Sequence, residues 1–167
     1  MFANGDPKAN NPTSPTPTTL RASINNFTGE ENRNYFSLIQ VYENSEVTVR
    51  NSQFIKNWGM QRGAVFSAEE NGAAIYVEDS TFHNIVSVRG AVFGVSHNAI
   101  VTCTNCTIDY CFALKSVVVT GETDGHFNVS ESRIVDNKAL TFPLAELVGV
   151  QVDSFIEHSY IANNPKF

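Results

Sequence analysis

No apolar run in this 167-residue chain approaches the ~20 residues that a membrane-spanning helix takes. Basic clusters are missing too. Eleven Lys and Arg residues stand singly among 17 Asp and Glu, which leaves a net charge of −6 and a pI near 5.1. Such a balance makes nucleic acid and anionic membrane poor partners. The opening MFANGDPKANNP lacks the basic-then-apolar pattern of a signal peptide. The expectation is either a cytosolic protein or a processed or cropped part of something longer, and the second is favoured. Proline is almost absent after residue 18: Pro7, Pro12, Pro15 and Pro17 precede that point, and only Pro143 and Pro165 follow it. Residues 1–18, rich in Pro, Thr and Asn, cannot bury apolar surface and read as an extended arm. An inert spacer is preferred there to a mucin-like O-glycosylated stalk. The three cysteines come without a second Cys-x-x-Cys or a nearby His pair, so a closed zinc site is not expected. Nothing in the sequence calls for a cofactor.

What the chain has is repetition. The stretch from Val49 to Phe66 reads VRNSQFIKNWGMQRGAVF, and its pieces recur downstream. With Phe54 as origin, the equivalent residues are Phe27, Phe82, Ile108, Ile134 and Ile161, at steps of 27, 28, 26, 26 and 27 residues. A period in this range is the mark of a solenoid. Columns aligned on it sort by chemistry. Two before the origin stand Asn25, Ser52, Ser80, Cys106, Ser132 and Ser159; five before it stand Ala22, Val49, Val77, Cys103, Val129 and Ile156. Three after it come Glu30, Asn57, Ile85, Cys111, Asn137 and Asn164. Period-two alternation in each repeat means strands with one face buried. The fold expected is all-β: a right-handed parallel β-helix of about five coils, 26–28 residues each, over residues 19–167. Each coil should hold three strands, one through the S-x-F step, one at the Gly-Ala-Val step and one leading to the next coil. Thr28–Asn34 should bulge out as a polar loop.

The F-x-x-N step followed by G-A-V resembles the repeat of right-handed parallel β-helices in the pectin-lyase-like superfamily. It is most similar to polymorphic outer-membrane-protein repeats and to repeat-rich surface proteins of protists. Phe54 to Asn57 with Gly63-Ala64-Val65 is the cleanest copy. Phe82 keeps Gly90-Ala91-Val92 but has Ile85 in the Asn place, and Ile134 to Asn137 is followed by Phe142-Pro143-Leu144. The resemblance spans roughly residues 20–167 and implies architecture rather than activity, since that superfamily holds lyases, hydrolases, adhesins and inert stalks.

Several residues invite functional readings. Asn57, Asn137 and Asn164 are expected to point inward and bond backbone groups of neighbouring coils. Gly63 and Gly90 should permit a tight backbone path. Cys103, Cys106 and Cys111 fall in inward columns, so core packing is preferred over a Cys103–Cys106 disulfide, and both over a metal. Sequons at Asn26, Asn105 and Asn128 are expected to face outward and tilt the case towards an extracellular or cell-surface glycoprotein. On the outward face after the origin only His83, Asp109 and Arg133 could cluster, with Val135 and Ala162 extending the face as apolar surface. No carboxylate pair of the kind glycoside hydrolysis needs shares that face. A repeated Thr column for ice binding is interrupted by Tyr76, Asn128, Gln53 and Arg133. Residues 141–167 complete a fifth coil and stop within a sixth without a cap. The expectation is a non-catalytic structural or adhesive module, meeting protein partners or its own kind at uncapped coil ends, with carbohydrate as a further ligand class. The alternative is a polysaccharide lyase or glycoside hydrolase.

Overall fold

A computed structural model describes residues 19–149 and 154–166; the arm at 1–18 lies outside the described residues. Alternating apolar residues in short runs, separated every few positions by a turn, give strands and no helix among the described residues. The strands stack into four all-parallel sheets, the arrangement of a β-solenoid. Sheet A contains Leu20–Asn25, Ser45–Arg50, Ala74–Glu78, Ile100–Thr104, His126–Ser130 and Phe155–Glu157. Sheet B contains Thr28–Glu30, Gln53–Ile55, Thr81–His83, Thr107–Asp109, Arg133–Val135 and Tyr160–Ala162. Sheet C is built of two-residue strands from Arg33–Asn34 to Lys138–Ala139, and sheet D runs from Ile39–Val41 to Ala145–Val148. A coil therefore has four strands rather than the three expected. The Gly-Ala-Val step is not itself a strand but an arch leading into sheet D, which begins at Phe66 in the cleanest copy. The extra strand is the short Trp58–Gly59 of sheet C, too brief to show as alternation.

The chain turns between sheets A and B, and between B and C, on single residues with positive φ. At the second corner these are Glu31, Lys56, Asn84, Tyr110, Asp136 and Asn163, with φ between 51° and 56°. One left-handed residue swings the chain into the next sheet without a loop, at a strain that Asn and Asp tolerate best. Gly63 has φ +63, and a Cβ there would lie 2.0 Å from the Phe66 carbonyl oxygen. No other residue fits that position.

The core is a column of rings and branched aliphatics. Phe54 stacks on Phe82 at 5.3 Å between centroids and Phe66 on Phe93 at 5.9 Å. The two stacks meet edge-on at 5.1–6.0 Å. Ile108 and Ile134 continue the first column in register and are fully buried. Ile161 is also in register yet 43% exposed, because no described coil covers it.

The first coil departs from the expected register. Gly29, not Phe27, pairs with Phe54, and Ile24 rather than Ala22 pairs with Val49. The slip is two residues, so every side chain keeps its face but moves along. Phe27 is 40% exposed and occupies the corner position opposite Ser52, whose Oγ accepts its N–H at 3.2 Å. Its ring still reaches the column, 5.8 Å from Phe54, by filling the space over Gly29: a Cβ on Gly29 would sit 2.9 Å from that ring. The same slip turns Thr28–Asn34 from a loop into strands Thr28–Glu30 and Arg33–Asn34. It also puts Asn32, not Glu30, in the asparagine column.

That column behaves as a ladder where asparagine is present. Asn57 Oδ1 accepts from the Asn32 backbone N–H at 3.1 Å, and Asn57 Nδ2 donates to the Gly29 carbonyl at 2.9 Å. Asn137 Oδ1 accepts from the Cys111 N–H at 2.9 Å, and Asn164 Oδ1 from the Asn137 N–H at 3.0 Å. Ile85 and Cys111 interrupt the row as buried apolar residues.

The arches fold over the outer face of sheet D. Arg62 and Arg89 both grip Glu122, the second at 3.2 Å, and Lys115 reaches Glu146 at 2.8 Å. A row of cations on the arches thus meets carboxylates on the sheet, and Ser67, Ser96 and Thr120 beneath are buried although they point away from the core.

Candidate functional site

His83 and Asp109 are directly opposite each other on adjacent strands of sheet B. Their side chains share the outer face, and His83 Nδ1 lies 2.8 Å from Asp109 Oδ1. Tyr110 turns the corner beside them and sets its ring edge-on to the imidazole at 5.5 Å. Asp109 is mostly shielded and the imidazole is half open, so the pair is an oriented histidine with its other nitrogen unused by any described bond. Arg133 does not join it. It pairs across the strands with Thr107, one column over; its backbone N–H donates to the Cys106 carbonyl at 2.8 Å, and its guanidinium makes no hydrogen bond or ion pair among the described residues. The His83–Asp109 column continues as Ile55 on one side and Val135 on the other. Val135 is only 2% exposed, which corrects the expectation that it extends an apolar surface. The slip of the first coil brings one other carboxylate into that column, Glu30 opposite Ile55, but three coil steps from Asp109 amount to about 14 Å, too far for two-acid glycosidic chemistry. Among the described residues no three His, Cys, Asp or Glu side chains converge as metal ligands.

The cysteines divide. Cys103 and Cys106 are disulfide-bonded across the corner between sheets A and B, with Cα atoms 6.2 Å apart, so plain core packing, the preferred expectation, is corrected for this pair. Two adjacent inward positions flanking a one-residue turn bring the sulfurs together, a proximity that columns alone do not reveal. Cys111 stays free and buried; desolvation pushes its thiol pKa up to about 12, which keeps it a poor nucleophile. Of the sequons, Asn26 and Asn105 are exposed on the A/B corner with φ 53° and 52°. The Asn105 amide donates to Asp79 Oδ1 at 2.6 Å. Asn128 is half-buried on the outer face of sheet A between Thr102 and Phe155.

Sequence reasoning missed the B/C corner. The positive-φ residues there and the outward residue of each sheet C strand enclose three depressions of about 540, 510 and 680 Å³. The first two share Asn84; the second and third share Tyr110, Asp136 and Lys138. They form one furrow running along the solenoid. Its floor carries Trp58, Val86 and Phe112 in successive coils, with Trp58 38% and Tyr110 57% exposed. Arg33 and Lys56 lie near Glu31 at one end, and Lys138 near Asp136 at the other. The signal was the column four after the origin, whose large residues point away from the core.

No known protein family, curated protein or solved structure matches the chain.

Proposed function

We propose that the protein is a non-catalytic structural or adhesive module of the extracellular space or cell surface, and that its solenoid belongs with the right-handed parallel β-helices of the pectin-lyase-like superfamily. The observation that carries the reading is the pair of outermost described coils. Each presents strand edges that no described strand pairs, with Leu20, Phe27 and Tyr35 exposed at one end and Leu147, Phe155 and Ile161 at the other. Open parallel edges rimmed by apolar side chains favour pairing with further strands. The Cys103–Cys106 disulfide supports an oxidising compartment, as do sequons at exposed Asn26 and Asn105.

Sedimentation of the purified chain tests this. Concentration-dependent association should be lost in a Leu147→Lys, Ile161→Lys variant, whose changes sit on exposed side chains. A parent chain that stays monomeric at every concentration would count against assembly through the ends. Glycan mass on Asn26 or Asn105 after secretion from a eukaryotic host is the compartment test.

A second reading, a carbohydrate-active enzyme, is favoured by one observation, the His83–Asp109 pair. We expect no cleavage of acidic or neutral polysaccharides; turnover that disappears in Asp109→Asn would establish the enzyme instead.

A further inference from the structure

We propose that the furrow between sheets B and C is a docking groove for an extended, uncharged proline-rich segment, the occupant being residues 11–18 of a second copy of this chain. The groove's period decides the class of ligand. Coils repeat at the strand-pairing distance of about 4.8 Å. Trp58 and Phe112 stand two coils apart with Val86 between them, so the aromatic repeat is about 9.6 Å. A polyproline II chain rises about 3.1 Å per residue with three residues per turn, or about 9.3 Å. An extended β-strand brings a side chain back to the same face every two residues, about 6.7 Å, and falls out of step within one repeat. Aromatic-lined grooves suit polyproline II because the ligand is already stiff and its pyrrolidine rings pack flat against the ring faces. Electrostatics agree: Arg33 and Lys56 are set near Glu31, and Lys138 near Asp136, a near balance that an uncharged ligand leaves undisturbed.

The sequence of this chain contains that chemistry. Asn11-Pro12-Thr13-Ser14-Pro15-Thr16-Pro17-Thr18 has no charged residue, and Pro12 and Pro15 are spaced by one polyproline turn. Reach assigns it to a second copy. From Pro12 to Thr19 the chain spans at most about 25 Å fully extended. Leu20 begins sheet A, and the way round the outside to the furrow crosses the six-residue width of that sheet and the three-residue width of sheet B, about 30 Å before the groove is entered. Along that outside path a segment docking in its own furrow falls short.

Trp58 is the only tryptophan in the chain, so its emission reports the furrow alone. The experiment takes the full chain carrying P12A, P15A and P17A, which removes competition from its own segment, and titrates in a synthetic peptide of residues 8–19. A saturable change in Trp58 emission is expected, absent with a peptide whose prolines are all alanine. Phe112→Ala and Tyr110→Ala should each weaken binding roughly fivefold to tenfold; Tyr110 is exposed, so its loss leaves the fold intact. No saturable change, an equal change with the alanine peptide, or undiminished affinity in both variants would overturn the proposal. A response to soluble glucan or mannan but not to the peptide would overturn it in favour of a sugar. Because the readout is a peptide in the furrow, its failure is distinguishable from failure of assembly through the coil ends.

Discussion

Phe82 and Ile161 occupy the same column of the same sheet, yet one is fully buried and the other 43% exposed. The contrast holds in sheet A as well: Val49, Val77, Cys103 and Val129 of its inward column are closed off, whereas Ile24 and Ile156 at the two described ends of that column are only partly buried. In a solenoid the walls of a residue's cavity belong to the coils above and below it. Column identity therefore sets the direction of a side chain, and position along the axis sets what that direction is worth. The first coil also shows that an end tolerates a looser fit, since Phe27 fills from two residues away the space left by Gly29.

The largest test of this comparison is truncation within one column. Phe82→Ala should cost about 3–5 kcal/mol through the cavity it leaves, against less than ~1 kcal/mol for Ile161→Ala, whose side chain is already half in water. Denaturant melts giving equal losses would break the distinction between inner and outer coils. Next come the asparagines. Asn137→Ala strands the Cys111 N–H and the Ile108 carbonyl in the interior and should cost about 2 kcal/mol. Asn164→Ala, partly open to solvent, should cost less than half of that in the same melts.

A smaller effect is expected at the ion pairs. Glu122→Gln loosens two arginine contacts that hold arches over sheet D and should cost about 1 kcal/mol. Glu78→Gln removes only the exposed partner of Arg50 and should be near neutral, and added salt should shrink the difference. The last test is silent at neutral pH. The Cys111 thiol is held at about 12 by burial, up from 9.0. Below pH 9 both folded and unfolded chains keep the proton, and stability is unaffected by it. Between pH 9 and about 12 the unfolded chain releases the proton and the folded chain does not, so stability falls as pH rises. Cys111→Ala should flatten that alkaline slope in pH-dependent melts; a slope left unchanged would show that the thiol is not sealed in the core.

Much of the surface chemistry was also readable. His83 and Asp109 fall side by side because their positions differ by one period of the repeat. Arg133 stays apart from that pair because it lies opposite Thr107, and two residues along a strand share a face without sharing reach. The furrow escaped notice because its residues come from two elements, the corner and a two-residue strand, and neither is long enough to register as a pattern.

What the sequence by itself determined is the period and the facing: a repeat of 26–28 residues with inward columns of Phe, Ile and Val admits little besides a stack of coils, since only stacking buries each column continuously. What only the tertiary structure decided is the register of the first coil, the disulfide between Cys103 and Cys106, and the burial of outward residues such as Val135 and Ser67. Each of these depends on a neighbour that is distant in sequence, or on a single positive-φ corner, and packing around it rather than pattern selects among arrangements that place the same faces inward.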